Sequence, residues 1–461
     1  MSPASFTKAT RPLFLHHKRK LGMIILLCGL GSWLVAATTS HAEYLSNSAS
    51  IKTFCQAAQR ELQPKDSPLT PQKLPEFSQN IGQQLGWHLI DHNVLKQPHF
   101  SRFSFRYEHI DAGEIGINVI VTGKILRILH ITVITQQNPR SFTAMSGNCN
   151  VLETRQITYD DNGIPIAVLM MPTGRAMITR PLNPPALPRP DQERSANDLI
   201  IGHIDSGIDY RRADFASFLI YQDKANFKGR DFWDNDSLPY DTDTGRNPFF
   251  PQSHGSHVLD ILQQTGANFR LLPVRYPRPN MNMMGTAIHW LAANGAQLVM
   301  MPLGSQNRDD WTTFFEAARQ HPEILFIFSA GNNGRDLADA AIYPAVNDLP
   351  NALTVTSTFA DGRLPIESNF GEVVDIGVPA EAMNATGIDY EKRQVSGSSF
   401  AVPKLAGFAL CLTTKDPAKI AGNGRHWAAA VKLALAKPPL DVTGYDVFLS
   451  DTQLRQTCRS P

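Results

Sequence analysis

The sequence has no dominant charge of either sign and no cysteine motif for a metal. Its 461 residues include 43 Lys and Arg against 42 Asp and Glu, a formal net charge of +1. This balance lacks the electrostatic footprint of a nucleic-acid-binding protein, so we expect no nucleic-acid partner. Charged residues make up only 18% and hydrophobic residues 42%, which excludes a mainly disordered chain. None of the five cysteines forms a CxxC pair, which gives a zinc site little support.

The near-neutral total conceals an uneven distribution of charge along the chain. The first 42 residues carry no acid and a charge of +5, which leaves −4 for the remainder. An apolar run over 21–37 is followed by Ser40-His41-Ala42, with small residues at −3 and −1 from a cut after Ala42. This pattern predicts a secretory signal peptide over 1–42. The alternative is an uncleaved anchor, because spanning helices need about 17–25 apolar residues.

Four cysteines remain if the signal is removed. An even count in an exported chain suggests disulfides, and the split into two early and two late residues favours Cys55 with Cys149 and Cys411 with Cys458. A buried free thiol is the alternative for Cys411. We therefore expect a secreted or periplasmic protein with no membrane contact after signal cleavage.

Two domains follow the signal. Region 43–180 predicts a smaller α+β domain, with helical spacing over 51–62, strands at 115–121 and 129–134, and a hairpin turning at 160–163. Region 181–196 begins with a stretch rich in proline, which predicts a semi-rigid linker. The second domain covers 197–461, with a C-terminal extension at its end.

The second domain alternates apolar runs with helical segments. The runs are 199–204, 297–301, 324–328, 353–356 and 373–376. Continuous apolar strands of this kind are typical of a parallel sheet that is covered on both faces. The sequence therefore predicts an α/β fold with helices on both sides of that sheet.

Four polar motifs interrupt this pattern: HIDSGID around Asp205, SHGSHV around His254, SAGNNG around Asn332 and SGSSFAVP around Ser399. Each has an ordinary explanation when it is taken alone. Asp205 would end a strand in a turn, His254 would be a surface residue or a metal ligand, and Asn332 and Ser399 would cap a loop and a helix. The order and spacing of the four together change this interpretation.

The motifs resemble those of the subtilisin-like serine proteases, and the resemblance covers about 198–437. It implies a subtilisin-like parallel sheet and a serine endopeptidase that acts on polypeptides. Asp205, His254 and Ser399 would form the catalytic triad, in which histidine takes the serine proton and aspartate orients histidine. The Asn332 amide and the Ser399 backbone N–H would stabilise the oxyanion.

The resemblance also implies a set of substrate-binding residues: Leu303, Gly304, Ser329, Ala330, Gly331 and Ile342. We expect Ile342 to shorten the pocket for the residue before the cut bond and to favour small or medium apolar residues there. Pro302 stands where the family usually has serine and removes a backbone N–H beside the substrate. Ser256 and Ser398 replace threonines but keep a small hydroxyl residue.

No cofactor is required for this chemistry, but the acidic stretch between the Asp and His motifs suggests a structural calcium ion. Asp234 and Asp236 are the candidate ligands, together with the segment 241–245. A solvated, turn-rich loop is the alternative.

Three questions stay open at this stage. The protein would be either an active protease or a catalytically silent binding module, and a hydrolase using a metal on His254 and His257 is a third hypothesis. Region 43–180 would be either a removable prosegment, which would make the protein a zymogen, or a permanently attached docking domain. The sequence does not indicate an oligomeric state.

Overall fold

The structure is a computed structural model that describes residues 49–62, 73–97, 99–110, 113–123, 125–161, 163–191, 194–224, 226–245, 247–415, 423–435 and 447–459. The predicted signal peptide, 1–42, lies outside these residues. Within the described ranges, no helix combines the length and the apolar character that crossing a membrane requires.

The N-terminal domain is an eight-stranded antiparallel sheet with two helices on one face. Its strands follow one another in chain order, each paired with the next. The elements are α1 (Ala49–Leu62), α2 (Leu74–Leu85), β1 (His88–Lys96), β2 (Ser101–His109), β3 (Gly113–Thr122), β4 (Ile125–Thr135), β5 (Asn138–Ser146), β6 (Val151–Tyr159), β7 (Pro165–Pro172) and β8 (Ile178–Pro181).

One face of this sheet packs against the two helices and forms the hydrophobic core of the domain. Because residues two apart on a strand share a face, the buried residues Phe105 and Tyr107 both point towards the helices and pack around Phe54 of α1. The Cys55–Cys149 disulfide joins α1 to the β5–β6 turn. The α+β character, the helix over 51–62 and this disulfide agree with the sequence-based prediction, whereas α2 was not predicted.

The second domain contains a seven-stranded parallel sheet in the order β10-β11-β9-β12-β13-β14-β15. A small antiparallel pair, β16 and β17, lies outside it. The strands are β9 (Ile200–Asp205), β10 (Arg230–Asp231), β11 (Arg270–Arg275), β12 (Leu298–Met301), β13 (Leu325–Ser329), β14 (Ala352–Thr358), β15 (Ile376–Pro379), β16 (Met383–Thr386) and β17 (Lys392–Val395).

Helices cover both faces of the parallel sheet. On β13, Leu325 and Ile327 point into the core formed with α4 and α7, whereas Phe326 and Phe328 point into the core formed with α5 and α6. The helices are α3 (Ala213–Ala216), α4 (Gly255–Gln264), α5 (Met284–Ala293), α6 (Thr312–Gln320), α7 (Ser398–Lys415), α8 (Gly424–Leu435) and α9 (Asp451–Arg459). Three single turns of 3₁₀ helix lie at Met281–Met283, Asp309–Trp311 and Ile388–Tyr390.

The α/β architecture confirms the predicted fold class. Four of the five predicted apolar runs overlap their strands closely, but the run at 373–376 only meets the start of β15. Strand β11 was not predicted, because its arginines and proline break the apolar run. The Cys411–Cys458 disulfide fixes α9 to α7, so Cys411 is not a free thiol.

Candidate active site

A cleft of about 920 Å³ opens at the carboxyl ends of β9, β12 and β13. Asp205 ends β9, Pro302 follows β12 and Ser329 ends β13. Functional groups gather at this edge because all three strands are parallel. Asp205, His254, Asn332 and Ser399 all line the cleft, although the chain separates the first from the last by almost 200 residues.

Asp205 and His254 form the most closely connected pair in the cleft. The Nδ1 atom of His254 lies 2.8 Å from Asp205 Oδ1 and 2.9 Å from Oδ2. Burial opposes ionisation of the Asp205 carboxyl, but the nearby His254 and the hydrogen bonds from His203 and His254 outweigh it and lower the pKa of Asp205. Burial also disfavours the imidazolium, but the Asp205 carboxylate prevails and raises the pKa of His254.

Ser399 lies in the first turn of α7, two residues after a glycine that the backbone requires. Gly397 has φ +118°, a conformation that side chains other than glycine rarely adopt. This turn starts α7 at Ser398 and places the Ser399 hydroxyl in the cleft. That hydroxyl donates to the Pro302 carbonyl at 3.3 Å.

Asn332 is oriented by its neighbour in α7. Its Oδ1 atom accepts hydrogen bonds from the Ser398 backbone N–H at 2.8 Å and from the Ser398 hydroxyl at 3.1 Å. The Ser398 hydroxyl oxygen also accepts from the Gly331 N–H at 3.0 Å. These bonds hold the amide of Asn332, which lines the cleft.

Two further residues lie beside the pair: sequence reasoning missed His203 and considered Asp241 only as part of a possible calcium segment. His203 lies two residues before Asp205 on β9, is 1% exposed, and has its Nε2 atom 3.2 Å from Asp205 Oδ2. Asp241 is fully buried and accepts from the backbone N–H groups of His254 and Ser256 and from the Ser206 hydroxyl. It therefore fixes the start of α4, the helix that follows His254.

Most of the predicted substrate-binding residues border the cleft. Leu303, Gly304, Ser329, Gly331 and Ile342 do so. A Cβ atom on Gly304 would lie 2.9 Å from Ile342 Cγ2, which shows how closely Ile342 approaches this strand. Ala330 differs from the expectation: its side chain is fully buried and packs in a small apolar core, because alternation along the chain turns it away from the cleft.

The predicted calcium ligands have other partners. Asp234 lies 2.5 Å from an Arg275 guanidinium nitrogen, and Asp236 accepts from the Asn183 amide at 2.7 Å. A guanidinium thus takes the position beside Asp234 that a cation would need, so these two carboxylates do not fit a shared calcium site. Calcium binding by the protein stays a prediction. In the described part of the chain, no three His, Cys, Asp or Glu side chains form a metal cluster, His254 and His257 included.

Residues 196–437 match the Subtilase family, Peptidase_S8. The chain belongs to this family. The match covers the parallel sheet and the four cleft motifs. It ends before α9, which leaves the N-terminal domain and the C-terminal extension outside.

Several subtilases are similar to about half of the chain. Halolysin of Haloferax mediterranei is 26% identical over 54% of this chain and 48% of its own length. The thermophilic serine proteinase of Bacillus sp. strain AK1 is 29% identical over 49% of this chain and 54% of its own. Thermitase of Thermoactinomyces vulgaris is 25% identical over 50% of this chain and 84% of its own. The chain thus spans about half the length of the first two relatives.

Proposed function

We propose that this subtilase is an exported serine endopeptidase that hydrolyses peptide bonds through Asp205, His254 and Ser399. The observation that carries the proposal is the double contact of His254 Nδ1 with the Asp205 carboxylate in a cleft that Ser399 also lines. This contact holds the His254 tautomer whose Nε2 atom is free to accept a proton.

The reaction would proceed by acyl transfer. His254 removes the Ser399 proton while the oxygen attacks the carbonyl carbon, and the resulting imidazolium then protonates the leaving amine. Water repeats the sequence on the acyl-enzyme and releases the acid. Asp205 stabilises the imidazolium in both halves of the reaction.

Negative charge develops on the carbonyl oxygen in each tetrahedral intermediate. We assign its stabilisation to Asn332 Nδ2 and to the backbone N–H of Ser399 at the start of α7. The hydrogen bonds from Ser398 to Asn332 Oδ1 preorganise the amide, which is the condition for a large electrostatic contribution.

The substrates would be polypeptides with a small or medium apolar residue before the cut bond. Leu303, Gly304 and Gly331 form the sides of this pocket, and Ile342 lies between the two glycines: its Cγ2 atom is 2.9 Å from a Cβ built on Gly304 and its Cγ1 atom is 3.7 Å from one on Gly331. A branched side chain at this place limits the depth of the pocket.

Export to a secreted or periplasmic location is part of the proposal. The basic, acid-free segment before residue 43 has the pattern of a signal peptide, and the Cys55–Cys149 and Cys411–Cys458 bridges suit an oxidising compartment.

Covalent labelling by a fluorophosphonate tests the catalytic assignment. We expect the folded protein to be labelled at Ser399, Ser399→Ala to lose the label, and Ser396→Ala, three residues earlier, to keep it. Mass spectrometry of a digested peptide library should show internal cuts. A folded, disulfide-bonded protein that takes no label would contradict the proposal.

A silent binding module is the second candidate, and Pro302 is the observation that favours it. Proline supplies no N–H to a bound peptide, and the Pro302 carbonyl already holds the Ser399 hydroxyl. A labelled protein that binds peptides without cutting them would favour this candidate, whereas turnover would exclude it.

A further inference from the structure

The N-terminal domain packs directly onto the catalytic domain. On the sheet face that points away from α1 and α2, Phe142, Ile157 and Val168 form a small core with Phe249 of the catalytic domain. The ring of Phe142 also meets Phe250 edge-on at a centroid distance of 5.0 Å. Phe249 is 2% exposed, so this contact removes an aromatic side chain from water.

Arg155 adds polar contacts to this apolar core. Its guanidinium carbon lies 3.8 Å from the centre of the Phe250 ring, and its Nη1 atom donates to the Phe249 carbonyl at 3.0 Å. Glu153 pairs with the same side chain at 2.8 Å. Arg155 of the N-terminal domain thus binds the backbone of Phe249 and the ring of Phe250 in the catalytic domain.

The linker is docked rather than loose. The Leu182 carbonyl accepts from Thr242 Oγ1 at 3.0 Å, and the Pro184 carbonyl accepts from the Tyr210 hydroxyl. Thr242 and Tyr210 are each 1% exposed. If the linker left, both hydroxyl groups would lose a hydrogen-bond partner in a buried place, which is unfavourable.

Phe249 and Phe250 precede His254 in the chain by five and four residues. Gln252 pairs with Asp243 through two backbone hydrogen bonds, of 2.7 and 3.0 Å, and together with Ser253 it lines the cleft directly before His254. No residue of the described N-terminal domain or linker lines the cleft. The domain therefore supports one edge of the cleft from outside and leaves the cleft open.

We propose that the N-terminal domain is a permanent part of the active enzyme, a buttress that holds the segment 247–253 against the cleft, and not a removable prosegment. The proposal rests on the proposed protease function. An inhibitory prosegment would place chain in the cleft and would leave behind a catalytic domain with a polar surface. Here no described residue of the N-terminal domain or linker lines the cleft, and removal would expose Phe249 together with the two buried hydroxyl groups.

The state of the active enzyme tests this directly. The exported full chain is labelled with a fluorophosphonate, and the labelled species is sequenced from its amino terminus. We expect labelled enzyme that still contains the N-terminal domain. A labelled species that begins within or after 181–196 would overturn the proposal.

A second measurement does not depend on catalysis. A recognition site for an added protease is inserted between Asp191 and Arg194, and the chain is cut there. We expect the two fragments to co-elute in gel filtration, and their separation in native buffer would overturn the proposal. Missing label would count against the protease function alone, because co-elution still decides whether the domain is docked.

Substitution of Arg155 tests whether the N-terminal domain affects substrate binding in the cleft. Arg155→Ala should raise KM for a long peptide by about threefold to tenfold, because only part of the energy of one cation–π contact and one charged hydrogen bond is passed on to peptide binding, and it should leave kcat nearly unchanged. The matched control is Arg106→Ala in the same sheet, whose side chain is 52% exposed and pairs only loosely with Glu114 at 3.8 Å. Equal KM values for the two variants would overturn the role of the domain as a buttress.

Discussion

His203 Nε2 lies 3.2 Å from Asp205 Oδ2, and both side chains are buried. The Asp205 carboxylate therefore has a second histidine as a partner, besides His254. A hydrogen bond to a carboxylate spreads its charge and fixes its orientation. His203 thus restrains Asp205 in the position in which it can orient His254.

His203→Val should lower kcat by about tenfold, because one hydrogen bond to a charged group contributes about 1.5–3 kcal/mol. With one donor removed, the Asp205 carboxylate attracts the imidazolium more strongly. The pKa of His254 should then rise, and the acid limb of the kcat/KM profile should move to higher pH. Stopped assays across the pH range measure both effects.

His203→Gln is the matched control, since its amide retains a donor. It should recover most of the activity and the original acid limb. If the Val and Gln variants were equally impaired with an unchanged pH profile, His203 would have only a packing role.

The acid limb itself follows from the Asp205–His254 pair. His254 must be neutral to act as a base, and its pKa lies above the ordinary 6.5. We expect kcat/KM to increase with pH through a value above 6.5. The raised pKa also stabilises the folded protein at pH values below 6.5, and this contribution is lost as the pH rises through the folded-state pKa.

Asp205→Asn should lower kcat by about 10⁴-fold, because the amide favours the wrong His254 tautomer. Asp241→Asn is the control. Asp241 accepts from the backbone N–H groups of His254 and Ser256, so its substitution would weaken the start of α4 and lower the melting temperature more than kcat. An Asp205→Asn variant with nearly full activity would contradict the triad.

The sequence could predict which residues meet in the cleft, because the order and spacing of the four motifs resemble those of the subtilisin-like proteases. Strand topology alone would have indicated only Asp205 and Asn332, which lie at or just after the ends of buried parallel strands. It also contained an unused indication of His203: residues two apart on a strand share a face, so a histidine two before Asp205 must point the same way. The docking of Phe249 and Phe250 could not be predicted, because two apolar residues in a loop do not specify the surface that covers them.

Asp234 shows a different limit of sequence reasoning. Closely spaced acids predict oxygen ligands for calcium, but the partner they acquire depends on tertiary packing. Strand β11, which brings Arg275 between Asp231 and Asp234, is one of the strands that the sequence analysis missed. Without this strand the sequence could not indicate that Arg275 pairs with Asp234, and calcium binding stays a prediction.

Asn332→Ala should lower kcat by about 10²–10³-fold with little change in KM, because the amide would bind the oxyanion and not the ground-state carbonyl. Steady-state kinetics on a peptide substrate measure the two constants separately. Asn333→Ala, which alters the next cleft-lining residue, should affect kcat much less. Equal losses in the two variants would argue against an oxyanion role.

Ile342→Ala should deepen the pocket for the residue before the cut bond, so that the pocket accepts larger side chains. We expect kcat/KM for a Phe-containing substrate to rise by about tenfold or more relative to an Ala-containing one, since a few methylene groups in an apolar pocket give discrimination of this order. Ile366→Ala, at a residue that is 87% exposed, is the matched control and should leave the ratio unchanged. A wild-type profile dominated by Phe, Tyr or Arg would contradict the assignment of Ile342 to the base of the pocket.

The Cys411–Cys458 bridge ties the helix that carries Ser399 to the C-terminal helix, and Lys404 of α7 pairs with Asp451 of α9 beside it. Replacing both cysteines by serine should lower the free energy of unfolding by about 4 kcal/mol, because the bridge closes a loop of 47 residues. Denaturant titration measures this loss, and the capacity of the protein to take the fluorophosphonate label should decay faster at raised temperature.

The matching change at Cys55 and Cys149 should destabilise the N-terminal sheet first, so a probe such as Trp87 fluorescence should respond before labelling is lost. If labelling decayed equally fast in both double variants, the C-terminal bridge would have no particular role in holding α7.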